Sequence, residues 1–140
     1  MNRVEFPNVA LIHRASAVLK PTFVGNRLLA DVGAALITRS GAVHRGVCID
    51  TGSGTGFCVE HAAIDSMVTS GEYQIARIAA VWRDDSGRLY VLPPCGRCRE
   101  FIRQIHPDNI NTEVVLDRSL TMMLSELLPK WEWPSPLASP

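Results

Sequence analysis

Two short stretches carry most of the chemistry in this sequence: Cys58-Val59-Glu60 and Pro94-Cys95-Gly96-Arg97-Cys98. Cys95 and Cys98 stand three residues apart, a spacing that places both sulfurs on one side of the first turn of a helix. A proline directly before them is typical of a helix start. Because helix N-termini carry partial positive charge, they favour thiolates, and the two stretches together predict an anionic metal site.

Three cysteines would leave one position of a tetrahedral zinc ion open, whereas a structural site is usually closed by a fourth cysteine or histidine. Glu60 follows Cys58 by two residues, so it can flank the metal without binding it and accept a proton from water. We therefore predict that Cys58, Cys95 and Cys98 bind one Zn²⁺ per chain and that Glu60 is catalytic. Cys-x-x-Cys alone could also be a redox pair, but the order Cys-x-Glu, then Pro-Cys-x-x-Cys, is a signature of zinc base deaminases.

The composition narrows the possible partners and the location of the protein. The chain has 140 residues and a formal net charge of zero, which predicts one domain and provides no basic excess for nucleic-acid binding. Neither a secretion signal nor a membrane-spanning stretch is evident, so we expect a cytoplasmic protein that binds neither nucleic acid nor membrane. In a reducing compartment the four cysteines favour metal binding over disulfides.

Apolar periodicity and turn residues predict alternating helices and strands. Helices are expected over residues 8–20, 57–70, 96–105 and 119–128, and strands over residues 32–38, 42–50, 73–82 and 112–116, with a short stretch at 89–92 that leads into two prolines. The strands at 32–38 and 42–50 should form a hairpin, Ser119 is the expected N-cap of the last helix, and residues 26–30 could form a helical turn. The pattern predicts a layered α/β domain with a mixed sheet.

Three stretches resemble the cytidine deaminase family in its small homotetrameric form. They are Val32-Gly33-Ala34-Ala35-Leu36, the run from Cys58 to Ile64, and the run from Pro94 to Glu100. The ending Glu126-Leu127-Leu128-Pro129, before a tryptophan-containing tail, is similar to the blasticidin-S deaminases within it. The resemblance implies a three-layer α-β-α domain with a mixed five-stranded sheet over residues 1–129, an aromatic and proline-rich tail over residues 130–140, and a homotetramer.

The resemblance also implies a reaction, the hydrolytic loss of ammonia from C4 of a cytosine nucleoside or a nucleoside-like compound such as blasticidin S. Carried onto this chain, the three cysteines are the zinc ligands, and Glu60 moves a proton from water to ring N3 and then to the leaving amine. The family holds the ribose with Asn-x-Glu on the second strand, where this chain has Cys48 and Asp50. We predict that Cys48 and Asp50 both bind substrate. Sugar recognition should differ from that of the family, because Ala30 is a further departure, standing where the family has an aromatic residue.

Two further positions leave alternatives open. The family offsets the negative charge of three thiolates with an arginine directly after the glutamate, where this chain has His61. Either His61 or Arg97 could donate a hydrogen bond to a ligand sulfur, or His61 could simply pack between helices. In the tail, Trp131 and Trp133 either close over the pocket, which would make Trp133 a substrate contact, or pack on a neighbouring subunit.

Two other functions compete with a nucleoside deaminase. A nucleic-acid-editing deaminase would need a basic surface, which the zero net charge argues against. A non-catalytic structural zinc domain would need no carboxylate beside an open metal position, and Glu60 argues against it.

Overall fold

The structure, a computed structural model, describes residues 6–140. Its helices are α1 (Asn8–Ser16), α2 (Val59–Thr69), α3 (Gly96–Ile105) and α4 (Leu124–Leu127). Its strands are β1 (Thr22–Val24), β2 (Arg27–Leu29), β3 (Val32–Thr38), β4 (Val43–Val47), β5 (Ile75–Arg83), β6 (Leu89–Leu92), β7 (Glu113–Val115) and β8 (Thr121–Met123). None of the helices within residues 6–140 has the length and apolar character needed to cross a membrane.

The main sheet is mixed, as predicted, and it has six strands where five were expected. Its continuous path runs β4-β3-β5-β7-β8, and β6 adds a sixth strand beside β5. The predicted hairpin is confirmed, because β3 pairs antiparallel with β4, with Gly33 opposite Val47 and Ile37 opposite Val43. One edge of β5 is shared: β6 pairs antiparallel with its C-terminal half, and β7 pairs parallel with its N-terminal half.

Helices cover both faces of this sheet, which confirms the three-layer α-β-α architecture. Side chains of β3 alternate, so that Ala35 faces α1 while Ala34 and Leu36 face the opposite layer. The α1 side is filled by Leu11, Ile12, Ala15, Ala35, Ala79, Val81 and Val115. The other side holds α2, α3 and α4, with Val59, Ala63, Ile64, Met67, Ile102 and Leu124 among its buried residues.

Two predicted elements were wrong. Residues 119–128 are not one helix, because Thr121–Met123 forms β8 against β7, with Met122 opposite Val114. The helix α4 begins only at Leu124, where the Glu126 carboxylate accepts a hydrogen bond from the Met123 backbone N–H at 2.9 Å. Its N-cap is therefore Met123 and not Ser119. Residues 26–30 are not a helical turn either, since β2 pairs with β1 in a small separate hairpin.

Two glycines allow the helices to approach the sheet closely. A Cβ atom built on Gly33 would lie 2.4 Å from the Ala15 carbonyl oxygen of α1. A Cβ built on Gly46 would lie 2.4 Å from the Ala62 Cβ and 2.6 Å from the Ala63 backbone nitrogen, both in α2. The absence of side chains at these positions lets α2 rest directly on β4, which places the N-terminus of α2 over the sheet.

This packing predicts that Gly46→Ala destabilises the protein. The added methyl group meets helix backbone rather than a flexible side chain, so α2 must shift away from β4, at a cost of about 1–3 kcal/mol in the free energy of unfolding. Urea unfolding followed by circular dichroism measures the change. Gly96→Ala is the control, because a Cβ there meets nothing within 4 Å; equal stability of the two variants would contradict the close-packing account.

Candidate active site

Two helix N-termini on the same face of the sheet bring the three predicted ligands together. Cys58 is the N-cap of α2, Cys95 is the N-cap of α3, and Cys98 lies in the first turn of α3. Their sulfurs all lie within 4.8 Å of one another. The Sγ atoms of Cys58 and Cys95 are 3.6 Å apart. The fold therefore assembles the cluster from stretches 37 residues apart in the chain.

The cluster has the spacing of a metal site. Two sulfurs bound to one tetrahedral ion at a metal–sulfur distance of about 2.3 Å lie about 3.8 Å apart, close to the 3.6 Å between Cys58 and Cys95. Within residues 6–140 the group of potential ligand atoms contains these three cysteines and no fourth member. The donor set can therefore hold a metal ion and leave one position for a water molecule.

The three thiols differ in how readily they ionise. Burial raises the pKa of Cys98, and the neighbouring Glu60 carboxylate adds to that effect. Burial also raises the pKa of Cys58. Burial acts in the same direction on Cys95, but hydrogen bonds from the Cys98 backbone and from the Cys98 and Cys58 thiols outweigh it and lower the Cys95 pKa. A cation is therefore needed to favour three thiolates together.

Glu60 lies in the first turn of α2 and is only 5 % exposed. Burial raises the pKa of its carboxyl group, because the charged form loses hydration, while a hydrogen bond from the Cys98 thiol partly opposes the change. A raised pKa suits a carboxylate that must accept a proton and give it back near neutral pH.

A cavity of about 400 Å³ joins these residues to the predicted substrate-binding positions. Cys58, Glu60, Cys95, Cys48 and Asp50 all contribute to its walls. The remaining lining residues are Val32, Thr51, Gly54, Gly56, Phe57, Val59, Ala80, Leu92, Pro93 and Arg97. The structure therefore places the cysteine cluster and the sugar-binding candidates around one space.

Cys48 has a partner that sequence reasoning missed. Its buried thiol donates a hydrogen bond to the Asp31 carboxylate at 3.2 Å. Burial, followed by this hydrogen bond, raises the Cys48 pKa to about 11. Oxygen atoms of Asp31 and Asp50 and the Cys48 sulfur lie within 4.8 Å of one another. The pairing register of β3 and β4 could have revealed this contact. Continuing the register beyond the strands brings position 48 beside positions 31 and 32.

The structure does not bring Trp133 into this group. Its side chain is 93 % exposed in the single chain and is absent from the cavity walls. Trp131 contacts α3 instead, with the Arg103 guanidinium carbon 5.3 Å from its ring centroid. Residues 131–140 contain neither helix nor strand.

His61 lies beside the cluster, outside the cavity walls. Its Nδ1 atom is 3.7 Å from the Cys98 sulfur, and its ring stacks on Phe101, with centroids 4.1 Å apart and planes 11° apart. Burial, with the nearby positive charge of Arg97, lowers the His61 pKa and favours the neutral ring. The sequence had singled out His61 and Arg97, but it had given Phe101 no role at the site.

Comparisons with known proteins show the family of the chain and agree with its fold. No protein-family model matches the chain. A cytidine deaminase of Halalkalibacterium halodurans is 35% identical over 104 residues, which cover 71% of this chain and 74% of that protein. A blasticidin-S deaminase of Bacillus cereus is 33% identical over 103 residues, covering 70% of this chain and 74% of that protein.

Solved structures show the same architecture. A mutant cytidine deaminase from Mycobacterium tuberculosis superposes with a TM-score of 0.72 and 25% identity, covering 90% of this chain and 98% of that one. A cytidine deaminase from Burkholderia pseudomallei superposes with a TM-score of 0.71 and 28% identity, covering 89% of this chain and 98% of that one. Sequence similarity to curated relatives over about three quarters of their length, together with the shared fold, shows that this chain belongs to the cytidine deaminase family.

Proposed function

We propose that the protein is a zinc-dependent hydrolase that replaces the C4 amino group of a cytosine nucleoside, or of a nucleoside analogue, with oxygen and releases ammonia. The observation that carries this proposal is the buried Glu60 carboxyl group at the wall of a cavity of about 400 Å³, beside three cysteine sulfurs that have no fourth ligand among residues 6–140. Relatives named cytidine deaminase and blasticidin-S deaminase support the same reaction.

Cys58, Cys95 and Cys98 would hold the metal, and their soft sulfur donors suit zinc. A bound zinc ion would supply the activation of a water molecule, making it nucleophilic at neutral pH. The positive ends of α2 and α3 both point at the cluster, which favours the thiolate form of the ligands.

Glu60 would carry the protons. Its carboxylate accepts a proton from the attacking water and delivers it to ring N3, so that C4 becomes tetrahedral without charge building up on the ring. It then takes the proton of the new C4 hydroxyl and transfers it to the amino group, so that the C4–N bond breaks, ammonia leaves and C4 becomes a carbonyl. The reaction as a whole consumes one water molecule and the amine and produces the carbonyl compound and ammonia. Glu60 returns to its ionised starting state.

Replacing Glu60 with glutamine should therefore reduce turnover strongly while leaving metal binding intact. Glu60→Gln preserves the shape of the side chain and removes its ability to accept a proton, so kcat should fall by about 100- to 10,000-fold. Ultraviolet absorbance and ammonia release measure turnover of cytidine, deoxycytidine and blasticidin S, and elemental analysis measures zinc.

Asp65→Asn is the matched control, because it changes an exposed carboxylate on the same helix and should preserve activity. Cys98→Ala should lose both zinc and activity. Substantial turnover by Glu60→Gln would contradict the proton-carrier role. Zinc bound by the wild-type protein without turnover of any compound in the panel would favour a structural zinc domain.

We further propose that Cys48 and Asp50 form the sugar-binding end of the cavity. Both line it, and the Asp50 carboxylate can accept a hydrogen bond from a sugar hydroxyl. The Cys48 thiol donates to Asp31 and so holds that carboxylate at the same end. Each carboxylate accepts hydrogen bonds only, which favours substrates that present hydroxyl or amino donors there.

Asp50→Asn should raise KM with little change in kcat. Hydrogen bonds to a charged group contribute about 1.5–3 kcal/mol, so KM for the best nucleoside should rise by roughly 10- to 100-fold. Cys48→Ala should raise KM as well, by releasing Asp31. Steady-state kinetics measure both, with Asp85→Asn, in an exposed turn, as the control. An unchanged KM in Asp50→Asn would remove Asp50 from the substrate site.

We also propose that residues 1–129 form the catalytic domain, that residues 130–140 form a tail bearing Trp133, and that four chains assemble into a homotetramer. Large apolar side chains that are exposed in the single chain support an assembly, among them Phe23, Val24, Trp133 and Leu137. The predicted cytoplasmic location stays a prediction, which cell fractionation would test.

A chain shortened after Pro129 should separate the two roles of the tail. If Trp133 closes the pocket, the shortened chain loses activity and keeps the mass of a tetramer in light scattering. If the tail packs on a neighbouring subunit, the mass itself decreases. Unchanged activity and mass would exclude both roles, and a monomeric full-length protein would contradict the homotetramer.

A further inference from the structure

Two aromatic rings lie one helical turn beyond the cysteines, on two different helices. His61 follows Cys58 by three residues at the start of α2, and Phe101 follows Cys98 by three residues in α3. This spacing places each ring on the same side of its helix as the cysteine before it. The two rings stack on each other with centroids 4.1 Å apart, so they join α2 to α3 directly beside the sulfur cluster.

The same histidine lies close to a ligand sulfur. His61 Nδ1 is 3.7 Å from the Cys98 Sγ, within the range of an N–H to sulfur hydrogen bond. Cys98 is 0 % exposed, so water cannot solvate its sulfur. A buried thiolate needs a donor from the protein, because burying an unpaired charge is costly. Three thiolates around a divalent cation would also leave one net negative charge, and an N–H dipole directed at the sulfur stabilises that charge.

We propose that His61 and Phe101 form a positioning pair for the metal ligands. In this arrangement the stack sets the separation between the N-termini of α2 and α3, and an Nδ1–H of His61 stabilises the Cys98 thiolate. His61 does not line the substrate cavity, so it acts through the sulfur and not on the substrate. The inference rests on the proposed function only in requiring that the three cysteines bind metal.

The two contributions can be removed separately. His61→Phe keeps a ring that can stack on Phe101 and removes the donor. Phe101→Leu keeps the donor and removes the stack. His61→Asn replaces the ring with an amide whose N–H can still donate, and so tests whether a donor alone restores the effect on sulfur. Tyr90→Leu is the matched control, because it removes another stacked pair, Trp82 with Tyr90, outside the cysteine cluster.

Cobalt(II) in place of zinc reports on the sulfurs through its sulfur-to-metal charge-transfer absorption. In His61→Phe the band should move to lower energy, because a sulfur without a hydrogen bond donates electrons more strongly, and His61→Asn should move it back. Zinc affinity in chelator competition should fall by roughly 10-fold or more, as for other groups that support metal ligands. Phe101→Leu should keep the band position and release zinc faster, whereas Tyr90→Leu should match the wild type.

Each part of the inference can fail by itself. An unchanged cobalt band and zinc affinity in a folded His61→Phe protein would overturn the donor role. Unchanged zinc release from Phe101→Leu would overturn the role of the stack. If His61→Phe does not fold, a wild-type spectrum and affinity in His61→Leu would equally overturn the donor role. Failure of the wild-type protein to bind zinc or cobalt would instead overturn the proposed function.

Discussion

The site depends on one constraint: three cysteine sulfurs must lie within a few ångströms of one another although thiolates repel. Backbone packing enforces this arrangement. Helices α2 and α3 lie on one face of the sheet with their N-termini together, and Gly46 allows α2 to rest on β4 without an intervening side chain. The Cys58 and Cys95 sulfurs are consequently 3.6 Å apart, close to the edge of a metal-centred tetrahedron.

Burial gives the residues around this cluster different roles. Glu60 is buried and its pKa is raised, which suits proton transfer, whereas Asp50, which lines the same cavity, is exposed. Cys48 is a buried thiol that donates a hydrogen bond to the Asp31 carboxylate, whereas the other three cysteines cluster with one another. The cavity is therefore lined by titratable groups of different character, a buried carboxyl group at Glu60 and an exposed one at Asp50.

Local sequence signals predicted most of the fold. The bounds of β3 and α3 agree with the prediction, because continuous apolar runs, turn residues and a proline before a helix act within a few residues. The prediction of one helix over residues 119–128 was wrong, because it did not include a contact with another strand. Three of its residues pair with β7 as strand β8, and backbone hydrogen bonding at a sheet edge overrides the weak helical preference of a short segment.

By itself, the sequence determined the reactive chemistry: the thiols, the carboxyl group beside them, their placement at two helix starts, and the resemblance to a deaminase family. Residue type and short spacing carry that information. Only the tertiary structure decided that Cys48 pairs with Asp31, that His61 contacts Cys98 and stacks on Phe101, and that Trp133 stands away from the cavity in a single chain. Those contacts join elements distant in the chain, and their geometry is set by how helices and strands pack, which local periodicity does not encode.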